Sequence, residues 1–263
     1  MLKKVLVCFI MVVIFTTNFS FAEDDHIFDK SQLHKGVISG NYHINNIHGI
    51  KIMIQKGKDK HFYNLEKNKY YPLAFGNGEY FIAILESVEG KKYKVVAHEK
   101  INLNLKDENI VYLNSTQTIN WNNNMESIIK AKELTKNLKT DKEKITAIYK
   151  YIINNISYDN EKIPYINKNY VPNIEITYEV KKGICYDYTS LFASMLRSIN
   201  IPTKLVKGNK NDINTYHAWN EVYISDTNEW IIIDTTYDAH LLKNNLSYSM
   251  IKNSNEYFSK GKY

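Results

Sequence analysis

The chain has 263 residues, 34 basic against 28 acidic, for a net charge of +6. The lysines are scattered and Arg197 is the only arginine, so the concentrated basic face of a nucleic-acid binder is absent. Two cysteines, Cys8 and Cys185, cannot build a disulfide-stapled scaffold. The abundance of Lys, Asn, Ile and Tyr matches an AT-rich coding sequence and carries no functional information.

Residues 1–22 have the layout of a secretory leader. Lys3 and Lys4 supply the positive start, and Val5 to Phe15 is an unbroken apolar run, short for a bilayer-spanning helix. Ser20-Phe21-Ala22 places small residues where a signal peptidase reads, so cleavage is expected after Ala22. An uncleaved anchor is the competing account. Cys8 sits inside the apolar run after Val7 and does not have the position of a lipid-acceptor cysteine. Cleavage would leave about 240 residues, enough for one large domain or two modest ones. Cys185 would then be the one remaining cysteine, either a reactive thiol or an inert core residue.

Residues 23–120 are expected to form a small β-rich domain. Val37–Ile44, Ile50–Ile54, Glu79–Leu85 and Lys92–Val96 are rich in β-branched and aromatic residues and partly alternate. Glu89-Gly90 reads as a hairpin turn, and Phe75-Gly76-Asn77-Gly78 as another. That second turn lacks the lysine and helix start of a phosphate loop. His43, His48 and His61 have no carboxylate or cysteine pattern around them and read as surface histidines.

From Asn124 the period changes. Ile128, Ala131, Leu134 and Leu138 mark one loose helical face. Thr140-Asp141-Lys142-Glu143 is a capping box, followed at helical spacing by Ile145, Ile148, Tyr149, Ile152, Ile153 and Ile156. Tyr158 to Tyr178 contains Pro164 and Pro172 without a steady period, so an extended loop is expected. Its two readings are the wall of a substrate cleft and a plain connector.

The segment Lys182 to Phe192 reads as a tight turn, through Gly183, into a helix that begins at or near Cys185. Leu191, Phe192, Met195, Leu196 and Ile199 give the helix its buried side. Asn200 suits a left-handed end, and Pro202 stops the helix. At a helix start, unpaired N–H groups and the dipole favour a thiolate and can stabilise an oxyanion. Asp187 and Asp212 read as exposed or capping acids. Tyr216–Ile224 and Glu229–Asp234 read as strands joined by Ser225-Asp226-Thr227-Asn228. Pairing about that turn brings His217 opposite position 236, within two residues of Asp234. A thiol, an imidazole and a carboxylate so arranged are the parts of a nucleophilic acyl-transfer site. Trp219, on the same strand face as His217, either shields the imidazole or simply packs. Asp238 and His240 are given no role.

Gly183-Ile184-Cys185-Tyr186-Asp187-Tyr188, Met195–Pro202, His217-Ala218-Trp219-Asn220-Glu221-Val222 and Trp230–Tyr237 together resemble the core of the transglutaminase-like superfamily. The resemblance covers roughly Ile128 to Ala239, with the motifs in the family's order. It implies an α+β, papain-like core, with a cysteine-bearing helix packed on an antiparallel sheet, over residues 121–263. It also implies Cys185 as nucleophile, His217 as base and Asp234 as the residue that orients it. Asn200 stands where the family usually has Gly before Ile-Pro, and it tolerates the same backbone.

The family houses transglutaminases, cysteine proteases, deglycosylating amidases and inactive members. The resemblance therefore implies an exported thiol enzyme acting on amide bonds of peptides or proteins through a thioester. The alternative is a non-catalytic cell-envelope binding or scaffold protein. A metalloenzyme lacks ligand clusters, and no acidic loop has Ca²⁺-ligand spacing, so no metal or cofactor is expected. The second oxyanion donor stays unassigned, with Tyr178 and its loop neighbours as candidates.

Overall fold

Alternating apolar residues and short turns organise the first hundred residues into sheets. The protein is described here from a computed structural model, over residues 12–14, 27–42, 49–89, 92–167 and 169–263. The leader residues Lys3, Lys4, Cys8 and Ala22, the turn residue Gly90, and His43 and His48 lie outside these. The early strands are β1 (Val12–Ile14), β2 (Phe28–Asp29), β3 (Val37–Gly40), β4 (Lys51–Lys56), β5 (Asp59–Asn64), β6 (Tyr71–Pro72), β7 (Gly78–Glu89) and β8 (Lys92–Leu103). They make a five-stranded sheet in the order β1-β8-β7-β4-β5 and a three-stranded one, β2-β3-β6. β7 and β8 pair as the expected hairpin, with Glu89 opposite Lys92. Ile38, Ile52, Ile54, Tyr80, Ile82 and Ile84 are wholly buried in the core between the sheets. The Phe75–Gly78 turn is pinned by Asn77, whose side chain donates to Leu105 O at 2.8 Å and accepts from Leu105 N at 2.7 Å.

The helical part opens with α1 (Glu126–Thr135) and α2 (Asp141–Asn155). The Thr140–Glu143 capping box is formed as expected. Ile145, Ile148, Tyr149, Ile152 and Ile153 are buried along one face of α2. Each such side chain contributes roughly 1.5–3 kcal/mol by leaving water. The stretch from Tyr158 to Tyr178 corrects the extended-loop expectation. It holds a 3-10 turn at Ile163–Tyr165 and a helix, α3 (Ile174–Val180). Asn173 caps α3 by accepting from Glu175 N and Ile176 N, a short local signal that the prolines obscured.

A two-residue parallel bridge joins β9 (Ser157–Tyr158) to β10 (Lys182–Gly183), immediately before α4 (Cys185–Arg197). The strands β11 (Thr203–Lys210), β12 (Ile213–Ile224) and β13 (Glu229–Ile233) follow, then α5 (Thr235–Lys243) and β14 (Tyr257–Lys262). The resulting sheet is antiparallel, in the order β13-β12-β11-β14. α4 lies on it, with Leu191, Phe192, Met195 and Leu196 buried against Val222 and the faces of α1 and α2. Asn200 has φ 66°, and Ile201 N returns to Leu196 O, the helix end expected from the sequence.

The two cores meet around Arg197 and Tyr263. Arg197 is buried, and its guanidinium donates to Thr203 O at 2.9 Å, Asn114 O at 2.7 Å and Tyr263 O at 3.2 Å. The Tyr263 ring reaches the β-rich core and stacks on His61, with centroids 4.4 Å apart and planes 16° apart. His61 is therefore buried, against the surface expectation, and burial pushes its imidazole down to about 4 despite Asp59. A helix-borne guanidinium bridging three chain segments sets one test. Arg197→Met removes the guanidinium donor from three carbonyls, of which Tyr263 O keeps Leu205 N, and should cost on the order of 3 kcal/mol, read as a lower urea midpoint.

Candidate active site

Close approach shapes the turn that delivers Cys185. Gly183 does not use a left-handed backbone; Lys181, with φ 55°, makes that turn. A Cβ on Gly183 would instead come within 2.6 Å of Asp187 Cβ, so glycine is required by packing. Asp187 is wholly buried. Its Oδ2 accepts from Ile184 N at 2.9 Å and pairs with Lys162 Nζ at 2.7 Å, and Oδ1 accepts from Tyr170 OH. The acid expected to cap or to be exposed thus caps α4 and also fastens the preceding loop beside Cys185. On the other side, Asp159 N donates to Gly183 O at 3.0 Å, which brings Tyr158 near the thiol.

β12 and β13 pair with Asn220 opposite Ile233, and the same register continues His217 to position 236, as the turn count predicts. β13 ends at Ile233, however, and Asp234 is the N-cap of α5. Its Oδ1 accepts from Tyr237 N at 3.0 Å, which turns Oδ2 toward His217 Nε2 at 2.7 Å. Asp234 is wholly buried and His217 nearly so. With Nε2 engaged by Asp234, Nδ1 is the nitrogen left for Cys185, the ring's other polar neighbour. Cys185, His217 and Asp234 therefore meet at one place. Asp212, by contrast, pairs with Lys210 and accepts from Tyr237 OH at 2.6 Å on the rim.

Further side chains enclose this group. Tyr257 OH, from β14, donates to Asp234 Oδ2 at 3.1 Å. Trp219 is buried beside His217, with ring centroids 6.4 Å apart, and meets Tyr257 edge-on at 5.1 Å. Gly208, opposite His217, leaves the space: a Cβ there would lie 2.0 Å from Phe258 O and 2.8 Å from the Trp219 ring. Asn220 donates from Nδ2 to Thr189 O and to Lys204 O, each at 3.1 Å, tying the histidine strand to the cysteine helix. Asp238 is buried and accepts from Tyr149 OH at 2.7 Å and from Lys252, a structural contact beneath α5. Sequence reasoning missed Tyr257, since a tyrosine beyond the recognised motifs carries no signal of its partner. The family motif contains Asn220 without revealing its bonds.

Cys185 and His217 open onto a cleft of about 820 Å³, walled by Tyr158, Tyr216, Tyr237 and His240 among others. Tyr178 is not in it; its ring lies under Lys181 Nζ, 3.6 Å from the centroid, and beside Tyr151. It is therefore not an oxyanion donor here. Among the described residues no group of three or more His, Cys, Asp or Glu side chains could hold a metal ion. No helix among them is long and apolar enough to cross a membrane.

The match that assigns this architecture spans residues 129–235 and is to the transglutaminase-like superfamily. Over those residues the chain matches the model of that superfamily. The fold is thus the α+β, transglutaminase-like one expected from the motifs. No curated protein matches the chain. Among solved structures, a candidate cysteine protease from Cytophaga hutchinsonii is 18% identical, with 72% of each chain covered and a TM-score of 0.41. The periplasmic domain of TgpA from Pseudomonas aeruginosa, bound to ethylmercury, is 11% identical, covering 72% of this chain and 90% of that one, at 0.41. Red sea bream transglutaminase is 14% identical, covering 76% of this chain and 47% of that one, at 0.33. The transglutaminase-like superfamily includes both cysteine proteases and transglutaminases.

Electrostatics in the transglutaminase-like core favour a charged histidine. Burial opposes charge on His217, but the Asp234 carboxylate and then Cys185 outweigh it and lift the imidazole to about 10. The folded chain thus holds this proton more tightly than the unfolded one. The stabilisation is complete below about pH 6.5 and is lost as pH rises through about 10. Urea unfolding of the parent should show that decline, and Asp234→Asn, which removes the carboxylate, should flatten it.

Proposed function

We propose that this protein is an exported thiol enzyme that attacks amide bonds of peptides or proteins. In this reading residues 1–22 direct export, residues 23–120 form an accessory β-rich domain, and residues 121–263 form the catalytic domain. Cys185 is the nucleophile, His217 the base and acid, and Asp234 the residue that holds the imidazole. The observation that carries it is the buried His217, bonded through Nε2 to Asp234 at 2.7 Å with Cys185 as its other polar neighbour at the cleft. A binding protein needs a surface, whereas a buried charged pair opening onto a half-buried thiol has a use in chemistry.

The steps follow from those positions. Cys185 gives its proton to the His217 imidazole, and the sulfur attacks the amide carbon as thiolate. The carbonyl π pair moves to oxygen, where the unpaired N–H groups at the start of α4 meet it. As the tetrahedral adduct collapses, the C–N bond breaks and His217 delivers its proton to the departing nitrogen. A thioester to Cys185 remains. His217 then accepts a proton from water or an amine, whose attack on the thioester carbon expels the sulfur. Water completes hydrolysis, and an amine completes transfer. Asp234 stays ionised throughout and keeps the ring oriented.

Envelope attachment without catalysis is the competing reading, and one assay separates them. Peptide mixtures incubated with the chain, with and without a primary amine, are read by mass spectrometry for cleavage, deamidation and cross-linking. Turnover is expected, and Cys185→Ala should lower it by on the order of 10⁴-fold or more without changing the melting temperature by more than a few degrees. Turnover unchanged in Cys185→Ala would overturn the mechanism.

A further inference from the structure

Lys207 is the lysine of β11 without an anion of its own. On the same strand Lys204 pairs with Glu221 at 3.5 Å, and Lys210 pairs with Asp212 and, at 3.5 Å, with Glu256. Lys207 Nζ instead lies 3.5 Å from the centroid of the Tyr186 ring and 5.2 Å from that of Tyr263. Among the described residues no oxygen takes a hydrogen bond or ion pair from it. Its register partner is Ala218, the residue after His217, and Tyr186 is the residue after Cys185. The ammonium is therefore set between the histidine strand and the first turn of the cysteine helix.

His61 of β5 lies close enough to sense Lys207, but burial keeps that imidazole neutral at ordinary pH. Asp187, the carboxylate on the first turn of α4, is already taken by Ile184 N–H, Lys162 and Tyr170. Tyr186 and Tyr263 are held as neutral phenols, chiefly by burial. Burial pushes the Lys207 ammonium down to about 8, and the group that acts against that shift is Cys185. The positive end of α4 points to the same place. Two positive potentials thus converge on one side chain able to carry the answering charge.

We infer that Lys207 is a positioning residue for the Cys185 thiolate, holding negative charge on the sulfur. The inference rests on the thiol-enzyme reading, and it is tested without substrate. Cys185 in the full chain is alkylated with iodoacetamide between about pH 5.5 and 9.5, and the Cys185 peptide is followed by mass spectrometry. Parent, Lys207→Met and Lys207→Arg are compared, each checked by thermal melting. Lys207→Met should label Cys185 about tenfold more slowly near pH 6.5, a gap that closes near pH 9.5. Lys207→Arg, which restores the charge, should stay within about threefold of the parent. A loss from packing alone would show no such closing gap and no rescue by arginine. If Lys207→Met does not melt cooperatively, Lys207→Gln is read in its place. A parent that labels fast near pH 6.5, with a neutral variant whose curve superimposes on it, overturns this inference alone. A parent no faster than a free model thiol overturns the inference and the thiol-enzyme reading together.

Discussion

The buried bond between His217 and Asp234 is the constraint around which the rest of the C-terminal half is arranged. Either group alone would be expensive to bury as an ion, and breaking such a pair typically costs 3–5 kcal/mol. Together they share a proton across 2.7 Å, with Asp234 wholly buried. The geometry has three independent supports. The β12–β13 register fixes the distance along the ladder, the N-cap bond to Tyr237 N turns the carboxylate, and Tyr257 OH takes a further lone pair. A cap bond found at many helix starts thus also aims Oδ2 at the imidazole.

The cysteine is held by a different device. Its helix starts where Asp187 folds back onto Ile184 N–H, and Gly183 is bare so that this can happen. The same carboxylate holds Lys162 and Tyr170, so the loop that walls the cleft and the turn that carries Cys185 share one anchor. Asn220 then ties the histidine strand to the cysteine helix through Thr189 O and to β11 through Lys204 O. Cys185 and Asp234 sit at helix starts and His217 lies within β12, each on backbone tied elsewhere, so these side chains have little freedom left to lose.

Much of this was legible in the residues, and the gaps have physical causes. The capping box at Thr140, the left-handed Asn200 and the strand register around Asp226-Thr227 are local, and local rules placed them. The α3 helix was hidden because Pro164 and Pro172 break the period just before Asn173 caps it. His61 read as a surface residue because its burial depends on Tyr263, some two hundred positions away. Gly183 was recognised as necessary for the wrong reason: its value lies in what it leaves out, not in its torsion angles. Tyr257 and Lys207 had no sequence signal, since a residue that acts through space on a motif need not resemble one. The resemblance to the transglutaminase-like core implied the roles proposed for Cys185, His217 and Asp234. Tertiary contacts supplied what orients them.

Tyr257 lies beyond the whole segment that carries Cys185, His217 and Asp234. Its strand, β14, pairs with β11, and the residue after that strand, Tyr263, takes the backbone bonds of Leu205. A ribosome delivers this chain amino end first, so Cys185, His217 and Asp234 all emerge before the strand that completes the sheet behind them. Until it arrives, one lone pair of Asp234 lacks its phenol, Trp219 lacks its edge-on neighbour, and Arg197 lacks one of its three carbonyls. The order of synthesis therefore separates possession of the reactive groups from their final arrangement. A nascent chain carries its chemistry unassembled until its closing strand is in place.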